Sequence, residues 1–165
     1  MSLLEFCRWL ENTPGSIALH ESIWVYPIVE SVHVLTLCVF LGLTVVIDLR
    51  LLGATLLATP VSQILRRFLP WTVAGFAVMV VSGALLFYAI PMKTYLNIFF
   101  RLKVAFLLMA GLNVAIFQRT ASRTMAGWDH DPKPPFRARL AGGVSLALWA
   151  GIVICGRMIA YNWFD

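Results

Sequence analysis

Residues 22–48, SIWVYPIVESVHVLTLCVFLGLTVVID, make one apolar run long enough to cross a bilayer as a helix. The run nevertheless carries Glu30 and His33, three residues apart and so on one helix face. Ionisable groups at membrane depth are costly, so they turn toward a bundle interior or a cavity and mark function. Pro27, one turn before Glu30, lacks a backbone donor and predicts a kink beside the pair.

The rest of the composition agrees with a membrane setting. The chain is 60% hydrophobic and 13% charged, with a mean hydropathy of +0.83, whereas soluble domains are about half apolar and about a quarter charged. A single transmembrane domain over residues 1–165 is expected, with no room for a separate soluble enzyme module. The formal charge of +5 sits mostly between apolar runs, which is a topology signal and argues against a nucleic-acid role. Cys7, Cys38 and Cys155 form no C-x-x-C, so neither a redox pair nor a covalent c-type haem motif is present. The first residues lack a basic stretch followed by an apolar core, so no cleavable signal peptide is expected, and no lipidation motif is seen.

Periodicity predicts an all-α, integral membrane four-helix bundle with an N-terminal interfacial amphipathic helix. The spans fall at about 22–50, 71–90, 95–117 and 140–161, with short interfacial helices at about 2–10 and 60–68. In the first of these, Leu3, Leu4, Cys7 and Leu10 share a stripe, and Trp9 suits an interface. Thr13-Pro14-Gly15-Ser16 reads as a break, Gly53 as a helix stop, and Thr59-Pro60 as the opening of a basic amphipathic segment. Gly75 and Ser82 are heptad-spaced on the second span; Gly143, Ala150 and Arg157 are so on the fourth, which predicts packed faces. Tyr161 and Trp163 are expected at the interface. The polar, proline-rich stretch 121–139 is expected on the solvent side with His130 exposed, and Asp48 is expected to pair with Arg66 or Arg67.

Arg50, Arg66 and Arg67 follow the first span, and Arg119, Arg123, Lys133, Arg137 and Arg139 follow the third. The positive-inside rule then puts both termini outside the cytoplasm. This topology brings Glu30 and His33, Arg101 and Lys103, and Arg157 to similar depth from three spans, roughly 5–15 Å below the outer surface at about 1.5 Å per residue. His20 lies just above them. One acid therefore faces up to three bases, and an anionic ligand such as the haem propionates would balance the excess. Arg101 and Lys103 cannot point at one neighbour, and Lys103 is expected to be the more buried.

The run H-E-S-x-W-x-Y-P-x-V-E-S-x-H from His20 to His33, followed by D-L-R-L-L-G ending at Gly53, resembles a family of small uncharacterised four-helix bacterial inner-membrane proteins. Trp71-Thr72, Gly75-Phe76, Ser82-Gly83, Asn97, Lys103 and Gly156-Arg157 fit the same pattern. The resemblance spans nearly the whole chain and implies the fold without implying an activity. In architecture the chain is also similar to small membrane haem proteins and to the four-helix bacterial protoporphyrinogen oxidase, an analogy of fold class.

Two readings of function follow. In the first the protein binds b-type haem for electron transfer. His33 would ligate the iron and His20 would be a possible second ligand. Glu30 would accept from the imidazole, and Arg101, Lys103 or Arg157 would hold propionates. In the second it is a cofactor-free small transporter, channel subunit or membrane assembly partner, acting as a homo-oligomer or beside a membrane partner, a redox protein in the haem case. No nucleophile motif or closed metal set points to an enzyme acting by itself.

Overall fold

The computed structural model describes residues 2–161, all of whose regular structure is helical. The elements are α1 (Leu3–Glu11), α2 (Pro14–Glu21), α3 (Val25–Leu52), α4 (Val61–Ala89), α5 (Pro91–Leu96), α6 (Ile98–Arg119), a 3-10 turn (Ser122–Gly127) and α7 (Phe136–Met158). Four of them, α3, α4, α6 and α7, are long and apolar enough to cross a membrane, and the chain is a helical membrane protein on that ground. Trp163 lies outside the described residues.

Local chemistry sets the boundaries. Ser2 and Glu5 form a reciprocal capping box at the start of α1 (Ser2 N to Glu5 Oε2 2.8 Å, Glu5 N to Ser2 Oγ 3.2 Å). The Thr13-Pro14 stretch that reads as a break is the start of a helix, with Thr13 as N-cap and Pro14 in the first turn of α2. Ser16 Oγ then donates to the Tyr88 carbonyl at 2.7 Å, which docks α2 on the end of α4. Gly53 ends α3 in the left-handed region (φ 75°), with the Ala54 amide reaching back to the Leu49 carbonyl at 2.9 Å.

Two prolines stand within the long helices without breaking them. Pro27 stands in the first turn of α3, where amides have no intrahelical acceptor, so its missing donor forces no kink beside Glu30. Pro70 lies inside α4, which runs unbroken through it and joins the 60–68 segment to the second span. A proline removes one rung of the ladder, and a helix this long continues where neighbours hold both halves.

The long helices form an open arrangement in the order α4–α3–α7–α6: α3 packs on α4 and α7, α6 packs on α7, and α4 and α6 scarcely meet. Their one ring contact, Phe87 against Phe100 at 5.4 Å between centroids, is at the end that carries the termini. Midway, Phe40 of α3 meets Trp149 of α7 edge-on (4.6 Å, 66°), with Met79, Ala110 and Ile152 closing this core. The α3–α7 crossing is tight because position 142 is glycine: a Cβ there would lie 2.8 Å from the Asp48 carbonyl oxygen.

At the opposite end the proline-rich segment is folded back as a lid. Trp128 is buried with Leu51, Val61, Ala121 and Ala138. Arg50 is fully buried and donates from Nε to the Thr59 carbonyl (3.0 Å) and from Nη2 to the Asp131 carbonyl (3.1 Å). Asp129 reaches across to Ser62, accepting from its amide at 2.7 Å and its hydroxyl at 2.6 Å. These bonds hold the two loops together, and His130 stays exposed between them.

Candidate functional site

The expected cluster divides. His33 is half-buried and turned toward α4, where its Nδ1 lies 2.8 Å from Ser82 Oγ. Ser82 Oγ also donates to the Val78 carbonyl at 2.7 Å, and the Met79 carbonyl is a second hydrogen-bond partner of the imidazole. The ring packs against Gly83, where an added Cβ would meet Cε1 at 3.3 Å. Lys103 of α6 is half-buried and fits its ammonium against the small face of Gly156.

The other members lie elsewhere. Glu30 is exposed on the outer face of α3. Residues three apart differ by about 60° around the axis, and α3 is covered on only part of its circumference, so His33 falls inside that edge and Glu30 outside it. Arg101 donates from Nε to the Tyr95 carbonyl at 3.1 Å and stacks 5.0 Å over that ring. Arg157 bonds the Tyr161 hydroxyl at 2.8 Å and lies 5.0 Å over its ring. Both guanidiniums are occupied locally at exposed positions. His20 is exposed on α2. Of the six expected residues, His33 and Lys103 alone converge on the core.

A second polar site, absent from the sequence reading, occupies the other half of the bundle. A cavity of about 470 Å³ lies between α4 and α6, floored by α3 and α7. Asp48 lines it, is buried, and has Oδ2 without a hydrogen-bond partner, while Ser145 of α7 holds the other side of the carboxyl. The expected partners Arg66 and Arg67 are exposed and do not reach it, because Asp48 is on the α7 face of α3. Thr44, Thr72 and Asn113 also line the cavity. Leu69, Val73 and Val114 stand exposed at its rim, where α4 and α6 part. His33 and Asp48 are fifteen residues apart on α3, about 22 Å along the axis, with Phe40 and Trp149 between their levels.

The signal for Asp48 was its type: an acid inside a span, which by default faces a bundle interior. The cavity itself had no sequence signal, since it depends on which helices fail to pack. Among the described residues, no group of three or more His, Cys, Asp or Glu side chains is placed to hold a metal ion. No curated protein and no solved structure matches the chain. Residues 15–162 match a family of unknown function, DUF6644, and since the match takes in nearly the whole chain, the protein belongs to that family.

Proposed function

We propose that the protein is a cofactor-free membrane protein that admits a small lipophilic molecule from the bilayer into the cavity between α4 and α6. It would serve as a carrier or transport subunit, in an oligomer or beside a membrane partner. The observation that carries this reading is the cavity: it opens between two helices that do not pack, its rim is apolar and exposed, and its floor is polar and buried. Sites of about 300–1,000 Å³ with an apolar lining and a few placed polar groups are typical of small-molecule binding. Exposed Phe6 and Trp9 on α1 support an interfacial position for that helix. The lysine and arginine distribution supports an orientation with both termini outside the cytoplasm.

A haem reading keeps one observation in its favour, the hydrogen bond between His33 Nδ1 and Ser82 Oγ, since a metal-bound imidazole commonly has its other ring nitrogen hydrogen-bonded. The two readings separate in one preparation. Full-length protein in detergent is expected to bind one dodecanol in native mass spectra and to give a flat reduced-minus-oxidised spectrum. Gly111 lines the cavity and a Cβ added there meets nothing within 4 Å, so Gly111→Trp is expected to obstruct the cavity and abolish the adduct. Unchanged dodecanol binding in that variant would refute the cavity reading; a haem spectrum lost in His33→Ala would establish the other.

A further inference from the structure

Three of the polar side chains around the cavity, Thr44, Thr72 and Asn113, direct a hydrogen to a backbone carbonyl outside it. Thr44 donates to the Phe40 carbonyl at 2.9 Å, and Thr72 to the Phe68 carbonyl at 2.8 Å. Asn113 uses an amide hydrogen on the Ala141 carbonyl at 2.9 Å. Each of these three keeps an oxygen with acceptor capacity. Asp48 adds a carboxyl oxygen with no partner at all, on a residue 4% exposed. An apolar cavity with acceptors at its floor is completed by a ligand that brings donors.

Resting on the cavity reading, we propose that the ligand is a lipophilic amine: an apolar body that enters between α4 and α6, with an ammonium group directed to Asp48. An unpaired carboxyl out of water is costly, and an ammonium supplies both N–H donors and the opposite charge. An anionic amphiphile would meet acceptors and a carboxyl and is disfavoured. The exposed Leu69, Val73 and Val114 at the rim face the side from which a bilayer-borne chain would arrive. Arg50, the nearest buried base in sequence, does not fill this role: its Nε and Nη2 donate to loop carbonyls, and its Nη1, although also buried without a partner, makes no bond to Asp48.

The test compares dodecylamine, dodecanol and dodecanoate as single-chain probes on the full-length protein by native mass spectrometry, with the wild type, Asp48→Asn and Gly111→Trp. Wild type is expected to bind dodecylamine at least tenfold more tightly than dodecanol, and dodecanoate least. Asp48→Asn, close in shape, should erase the amine preference and leave dodecanol binding unchanged. Gly111→Trp should abolish both. An amine preference that survives in Asp48→Asn, or is absent from wild type while dodecanol still binds, overturns the amine assignment and leaves the cavity reading standing. If Gly111→Trp leaves every probe bound, the cavity reading itself fails. If that variant instead turns a wild-type dimer into a monomer, with no probe bound by either, the occupant is a second copy of the chain and the proposal is overturned.

Discussion

Arg50 at the end of α3 donates through Nη2 to the backbone carbonyl of Asp131, 3.1 Å away across 81 residues of sequence. Its Nε serves Thr59 in the other loop, so one fully buried guanidinium joins the α3–α4 and α6–α7 connections. Hydrogen bonds from a charged donor contribute about 1.5–3 kcal/mol each. Arg50→Met is therefore expected to lower stability by about 3 kcal/mol or more. Arg50→Lys should recover part of that, since an ammonium cannot span both carbonyls in the fixed geometry of the fork. Thermal unfolding of the detergent-solubilised protein measures it; a loss under about 0.5 kcal/mol would show that the lid does not depend on this residue.

Acidification should loosen the same lid. Burial by itself raises the Asp129 carboxyl. The hydrogen bonds from the Ser62 side chain and amide, with His130 and Arg50 nearby, outweigh it and hold the group below its ordinary value of 3.8. A folded-state pKa below the unfolded one adds stability above the unfolded value, and that stability is lost as pH falls through the folded value. The difference in Tm between the wild type and Asp129→Ala is thus expected to be full at neutral pH and to shrink below pH 3.8. A difference that stays constant down to pH 2.5 would argue that Asp129 contributes only by its shape.

Four long apolar helices, the stop at Gly53 and the inward turn of His33 could be read from the chain, because hydropathy and period report directly on burial. Glu30 could not be placed, since a 60° offset decides between lipid and core, and that edge depends on how far α4 covers α3. Asp48 was assigned a local arginine because sequence neighbours are visible and Ser145, on α7, is not. The gap between α4 and α6 is a property of packing: both helices carry small and apolar residues, and neither pattern says which neighbour is missing. The polar composition of the lid predicts a plain solvent-side loop because it hides the buried Trp128.

Glycine is required where α7 crosses α3. A Cβ at Gly142 would stand 2.8 Å from the Asp48 carbonyl oxygen and 3.1 Å from Leu51 Cβ, and backbone cannot move aside as a side chain can. Gly142→Ala is expected to cost about 1–3 kcal/mol, the range for forced overpacking, and to move Asp48 enough to weaken probe binding. At Gly111 nothing lies within 4 Å of the added atom, so Gly111→Ala should be neutral or slightly stabilising through helix propensity. Equal effects at the two positions would show that the crossing is looser than these distances imply.

His33 and Glu30 give the sharpest contrast, because sequence spacing pairs them and the fold parts them. Ser82→Ala removes the partner of His33 Nδ1 in a partly buried setting and should cost about 1 kcal/mol. It should also change the hydrogen bonding of that nitrogen, which NMR of labelled histidine would read as a shift of the Nδ1 resonance. Glu30→Gln alters an exposed side chain on the outer face of α3 and is expected to change stability by less than about 0.5 kcal/mol, with the His33 signal unmoved. If Glu30→Gln shifts the His33 resonances as strongly as Ser82→Ala does, the acid and the imidazole share one site after all. The division of the cluster described above would then be wrong at its first step.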